Sequence, residues 1–130
     1  MVIDTSALLA ILNDEPERRA FTEAIQGAAM RLVSAATVLE AALVIEARKG
    51  EHGGRELDLL LHRAGFEIVA VDADQVELAR LAYRKYGKGR HPAGLNFGDC
   101  FAYALAKQRG EELLYKGRDF ALTDLRAMIN

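Results

Sequence analysis

Cysteine is nearly absent: Cys100 is the only one in 130 residues. A disulfide framework is therefore excluded, and the composition suits a reducing compartment. The three histidines, His52, His62 and His91, form no zinc-ligand spacing with Cys100 or with one another. No apolar run approaches the ~18 residues of a membrane span. No basic stretch precedes the apolar opening, so a signal peptide is not expected and a cytoplasmic location is. Neither sign of charge dominates: 17 basic and 19 acidic residues leave a net charge of −2. Any surface for nucleic acid must then be local. Repeats and low-complexity segments are also missing. What the chain does have is apolar content, 51% of its residues. Its length is that of one ordinary domain, and residues 1–130 are expected to form one.

Short β-prone runs alternate with helical patterns. Met1 to Ile3 read as a strand leading straight into Asp4, with Thr5 and Ser6 as caps for a helix over Ala7 to Leu12. A second helix is expected from about Glu17 to Gln26, a strand over Met30 to Val33, and a helix from Ser34 through Ala47 that stops near Gly50. Gly53 and Gly54 read as a joint before a helix over Glu56 to Ala64. A strand over Phe66 to Val71 leads into a helix opened by Asp72 to Asp74 and running to Tyr86. Residues 86–95 hold three glycines and one proline and read as a loop. Asn96 to Gly98 start a helix ending at Gly110, Leu113 to Tyr115 form the last strand, and Lys116 to Asp119 a loop; the tail makes one helical turn. This alternation predicts a three-layer α/β/α fold with a short central parallel sheet.

Four acids fall at one edge of that sheet. Asp4 follows the first strand, where open α/β sheets bind ligands. Glu40 has Ala36, Thr37, Leu43 and Val44 as its helical neighbours, which predicts a buried face. Asp99 lies in the first helical turn beside Gly98; helix capping accounts for a lone acid there, but its apolar flank of Cys100, Phe101 and Ala104 suits a crowded site. Asp119 follows the last strand, with Asp124 as a competitor for its role. Converging carboxylates repel one another unless a cation joins them. Mg2+ or Mn2+ prefers such oxygen ligands, and the resulting site can activate water against a phosphate.

With those residues in place, the sequence resembles a PIN domain, in particular the VapC-type toxins of bacterial toxin–antitoxin systems. The likeness rests on "VIDTSALLAIL", "SAATVLEAALVI", "LNFGDCFAYALAK" and "LLYKGRDFALTDL", in that order along nearly the whole chain. It implies that Asp4, Glu40, Asp99 and Asp119 form the catalytic quartet, with Asp4 and Asp99 as principal metal ligands and Ser6 in support. It also implies Mg2+-dependent endoribonuclease activity, a homodimer and a cognate VapB-type antitoxin. One departure is Arg118, where the family often carries an acidic or polar residue before its fourth acid.

Basic residues cluster as Arg84, Lys85, Lys88 and Arg90, followed by His91, with no intervening acid. They are candidates for RNA phosphate contacts, with Lys116 and Arg118 as further ones and Tyr83 and Tyr86 as stacking partners for bases. A solvated helix end explains the same charges equally well. Cys100 reads as a small buried hydrophobe. Other functions fit less closely. A PIN-like nuclease of RNA processing would act without an antitoxin. A phosphoryl-receiver signalling domain would need paired acids after the first strand, where Thr5 and Ser6 stand. A haloacid-dehalogenase-type phosphatase would need an Asp at the position of Ser6.

Overall fold

The adjacent apolar residues of each strand turn to opposite faces, because side chains alternate along a strand. Val2, Leu32 and Leu113 enter one core, whereas Ile3, Val33 and Leu114 enter another. A sheet buried on both faces needs helices on both. The computed structural model, which describes residues 1–128, has that arrangement. Strands β1 (Val2–Ile3), β2 (Leu32–Ser34), β3 (Glu67–Val69) and β4 (Leu113–Leu114) form one sheet in the order β3-β2-β1-β4. All three pairings are parallel, with Val2 opposite both Leu32 and Leu113.

Helices α1 (Thr5–Leu12), α2 (Arg18–Gly27), α3 (Ala35–Lys49) and α4 (Glu51–Arg63) follow in order. Leu8, Phe21, Ile25, Ala41 and Leu57 from these helices pack on one side of the sheet. Helices α5 (Ala73–Tyr86) and α6 (Phe97–Arg109) cover the other with Ala82, Tyr86, Tyr103 and Leu105. The expected three-layer α/β/α architecture is therefore present. The helix breaks follow capping chemistry. Ser34 accepts from the Ala36 N–H, Asp72 from that of Gln75, and Gly110 ends α6 at φ 64°.

Several local expectations are corrected. Gly53 and Gly54 are not a joint but lie inside α4; the break falls at Gly50, whose φ is 69°. A Cβ on Gly53 would come 2.9 Å from the Ile45 carbonyl oxygen, so this glycine permits α4 to lie against α3. Thr5 and Ser6 are helical, and Asp4 itself is the N-cap. Strand β3 is shorter than its apolar pattern suggested. On α3 the buried stripe is Thr37, Ala41 and Ile45, while Leu43 is 63% exposed and Val44 is also exposed. Glu40 thus borders the buried stripe and does not sit within an all-buried face. The tail turn is a 3-10 helix, Asp119–Leu122. No helix among the described residues is long and apolar enough to cross a membrane.

Candidate active site

Asp4 occupies the C-terminal end of β1 because its N–H continues the ladder to the Leu114 carbonyl at 2.9 Å. Its side chain then caps α1. Oδ2 accepts from the Ser6 N–H at 3.0 Å and from the Ser6 hydroxyl at 2.6 Å. Oδ1 is buried and has no partner. Only 3% of Asp4 is exposed, and that burial raises its pKa to about 6; the Ser6 hydrogen bonds oppose the rise, and the charges of Asp99 and Glu40 add to it.

The other acids come from three further elements, and the charges of Glu40 and Asp99 act on Asp4 and those of Glu40 and Asp119 on Asp99. Glu40, in the second turn of α3, accepts a hydrogen bond from the Thr5 hydroxyl through Oε1. Its Oε2 lies where a side chain at position 98 would stand, 1.9 Å from an ideal Cβ on Gly98. Asp99 forms a capping box at the start of α6. Its Oδ2 accepts from the Asn96 N–H at 3.0 Å, and the Asn96 side chain accepts from the Asp99 N–H at 2.9 Å. Asp99 is therefore a helix cap, and its carboxylate also lies near the charges of Glu40 and Asp119. Burial raises its pKa, the Asn96 N–H lowers it, and the charges of Asp119 and Glu40 raise it. Asp119 is exposed at the start of the 3-10 turn.

Asp124 is held elsewhere. It accepts from the Tyr103 hydroxyl at 2.6 Å and pairs with Lys107 at 2.9 Å. Of the two competitors, Asp119 is the one whose charge Asp99 feels.

Ser6 joins two strand ends. Its oxygen donates to Asp4 and accepts from the Lys116 N–H at 2.9 Å, tying α1 to the loop that carries Asp119. Thr5 and Gly98 shape the site through Glu40. Sequence reading gave Thr5 only a capping role, and it placed Gly98 beside Asp99 alone. Neither contact has a local signal, because Glu40 is 35 residues from Thr5.

The donor set suits a hard divalent cation. It consists of carboxylates only, and one of them keeps a buried, unpartnered oxygen. Among the described residues no three His, Cys, Asp or Glu side chains close into a finished cage. The acids are electrostatic neighbours, and a cation that keeps several waters needs only one or two carboxylates as direct ligands.

The basic candidates divide. Arg84, Lys85, Lys88, Arg90 and Arg118 are exposed, and none joins an ion pair among the described residues. Lys116 differs: its ammonium pairs with Glu15 and, at 3.5 Å, with Glu17. Its charge is spent on those acids, which also raise its pKa. Tyr86 is buried against His91 and Tyr103, so it offers no face to a base; Tyr83 is exposed. His91 accepts from the Ala93 N–H at 3.0 Å and stabilises the 87–95 loop. Cys100 is buried, as expected, and its thiol donates to the Asn96 carbonyl at 3.3 Å.

Comparison with known proteins identifies the family and the fold. The PIN domain family matches residues 1–125. The chain is similar to Ribonuclease VapC of Mycolicibacterium smegmatis, 62% identical over 128 residues that cover 98% of this chain and 99% of that one. It is 63% identical to Ribonuclease VapC30 of Mycobacterium tuberculosis over 125 residues, 96% of this chain and 95% of the relative. Among solved structures it shares its fold with VapC20 of Mycobacterium tuberculosis, described as a sarcin–ricin loop cleaving toxin. That likeness has a TM-score of 0.78 at 16% identity, covering 95% of each chain. A toxin–antitoxin complex from Klebsiella pneumoniae aligns with a TM-score of 0.71 at 21% identity, over 95% of this chain and 92% of that one.

Proposed function

Since the chain belongs to the PIN domain family and is of VapC type, we propose that it is the ribonuclease toxin of a toxin–antitoxin system, a single-domain cytoplasmic endoribonuclease. The observation that carries the reading is the buried Asp4, with one oxygen fixed by Ser6 and the other unpartnered, facing the charges of Asp99 and Glu40. Asp4 and Asp99 would hold Mg2+, or Mn2+, with Glu40 and Asp119 completing the acidic site. A cation bound there supplies positive charge for the scissile phosphate and lowers the pKa of the attacking water.

The chain's own residues prepare that chemistry. Ser6 fixes the Asp4 carboxylate and ties it to the loop before Asp119. Thr5 holds one Glu40 oxygen and Gly98 leaves room for the other. Asp119, the most exposed acid, stands at the solvent side, where substrate enters. Arg84, Lys85, Lys88, Arg90 and Arg118 supply charge for neighbouring phosphates. Lys116 instead positions its loop.

A VapB-type antitoxin and a second copy of the chain are the expected partners. The exposed Leu39, Leu43 and Val44 lie close together on α3, and a contiguous exposed apolar patch is what a protein contact uses. The testing experiment is cleavage of total bacterial RNA. The wild type should cut with Mg2+ and stop in EDTA, and Asp4→Asn should be inactive with unchanged circular dichroism. Full activity of Asp4→Asn would refute the mechanism. Co-expression separates the toxin from an RNA-processing nuclease: a neighbouring gene's product should suppress cleavage.

A further inference from the structure

The loop that carries Asp119 leaves β4 and returns to it. At its base the Leu113 N–H donates to the Arg126 carbonyl at 3.0 Å, and the Met128 N–H donates to the Leu113 carbonyl at 2.9 Å. Within the loop the Thr123 hydroxyl closes the 3-10 turn by donating to the Phe120 carbonyl at 2.6 Å. Phe120 is buried, with its ring centroid 5.1 Å from that of Tyr115. Beyond the turn, the two oxygens of Asp124 take different donors from α6. Oδ1 accepts from the Tyr103 hydroxyl at 2.6 Å and Oδ2 from the Lys107 ammonium at 2.9 Å. Burial raises the pKa of that hydroxyl and the Asp124 bond adds to the rise, so the hydroxyl remains a donor at any working pH. Asp99, Tyr103 and Lys107 follow one another at four-residue steps along α6, which puts them on one side of the helix.

We propose that Asp124 is a positioning residue, whose fork to Tyr103 and Lys107 sets the orientation of the 3-10 turn and so holds Asp119 beside Asp99. The inference rests on the reading of Asp119 as the fourth acid of the site. Such a device is needed because the two carboxylates repel: the charge of Asp119 raises the pKa of Asp99. Without a cation, that repulsion pushes the turn away from α6. Phe120 alone resists it poorly, since apolar burial is non-directional and lets the turn pivot about the ring. Hydrogen bonds are directional, and two of them, from one carboxylate to side chains a helical turn apart, fix a rotation. One side of α6 thus carries both Asp99 and the groups that hold Asp124. The Lys107 arm contributes little to global stability, because its side chains are 38% and 41% exposed. Its effect is on orientation.

The test is a double-mutant cycle on the full chain. Steady-state RNA cleavage in Mg2+ is measured for the wild type, Asp124→Ala, Asp119→Asn and the double variant. Tyr103→Phe and Lys107→Met each remove one arm of the fork. Asp124→Ala should lower kcat about tenfold, part of the hundredfold that an ångström of misplacement causes, with KM within about twofold. In the Asp119→Asn background the same substitution should change kcat by less than about twofold. Loss of folded protein would lower kcat equally in both backgrounds, so an equal loss overturns the proposal. Tyr103→Phe and Lys107→Met should each lower kcat about threefold, and both losses should vanish without Asp119. Backbone 15N relaxation in EDTA reads the turn directly. The order parameter at Asp119 should fall from about 0.85 in the wild type to below about 0.6 in Asp124→Ala, while that of α6 holds. Unchanged order at Asp119 overturns the proposal. If Asp124→Ala does not fold, Lys107→Met carries both measurements. If Asp119→Asn cuts RNA like the wild type, Asp119 leaves the catalytic site, and relaxation alone decides the positioning: lost order at Asp119 keeps it and unchanged order overturns it.

Discussion

Gly98 and Glu40 occupy one volume. A Cβ on Gly98 would lie 1.9 Å from Glu40 Oε2 and 2.6 Å from Cδ. Helix α6 can carry Asp99 to the acidic site only because this position has no side chain. The Glu40 carboxylate is in turn confined between that bare backbone and the Thr5 hydroxyl.

Gly98→Ala should therefore displace the Glu40 carboxylate and lower RNA cleavage about a hundredfold, the order of loss an ångström of misplacement causes. The fold should survive, since Glu40 is the flexible end of a long side chain and alanine gains ~1 kcal/mol over glycine in a helix. Denaturation of Gly98→Ala in wild-type and Glu40→Ala backgrounds checks the cause. The substitution should stabilise only where Glu40 is gone; an equal effect in both backgrounds would refute the contact.

Asp4 makes the apo protein sensitive to pH. Its pKa is 3.8 in the unfolded chain and about 6 when folded, so the folded state binds the proton more tightly. Below the unfolded value both states are protonated and nothing is lost. As pH rises through about 6 the folded state has to carry a buried charge, which costs about 3 kcal/mol when complete. Asp4→Asn, neutral throughout, should match the wild type near pH 4 and exceed its stability at pH 7.5. Urea denaturation in EDTA at the two pH values measures this. A difference independent of pH would show that Asp4 carries no such penalty. Added Mg2+ should narrow the gap by stabilising the wild type alone.

Three acids of the candidate site, Asp4, Asp99 and Asp119, were legible in the sequence because they stand at element boundaries, and boundaries carry signals. Asp4 ends an apolar strand, and Asp99 follows the Asn96 cap. The alternating α/β pattern gave the layers and the parallel sheet for the same reason. What the sequence hid depends on contacts between distant segments. The close packing of α4 on α3 turned Gly53 and Gly54 from a joint into helix. The exposure of Leu43 and Val44 follows from which stripe of α3 meets the sheet, and an α-helix of nearly continuous apolar residues leaves that stripe undefined. The charge of Lys116 looked available because Glu15 and Glu17 are about a hundred residues away.

Ser6→Ala should act through Asp4. The Ser6 hydrogen bonds lower the Asp4 pKa, so losing the hydroxyl should move the acid limb of the pH–rate profile upward. Activity should fall more at pH 6 than at pH 8, where Asp4 is ionised in either protein. The Lys116 N–H also loses its partner, at ~1 kcal/mol of stability. A uniform loss at all pH values would mean that Ser6 serves the loop and not the carboxylate.

Cations that touch substrate differ in their salt response from one that does not. Arg84 and Lys88 are exposed and unpaired among the described residues, whereas Lys116 is joined to Glu15 and Glu17. A cation that neutralises an RNA phosphate releases a counterion, so each contact steepens the dependence of binding on salt. Replacing both Arg84 and Lys88 by Gln should flatten the plot of log affinity against log salt by roughly 1.4, at about 0.7 per contact for a single strand. Lys116→Met should leave that slope unchanged, because its ammonium already has carboxylate partners. It should instead loosen the loop leading to Asp119 and lower kcat. Anisotropy across a series of KCl concentrations distinguishes the two. A flatter slope in Lys116→Met would return that lysine to the substrate surface. An unchanged slope in the double variant would place the RNA backbone away from the end of α5.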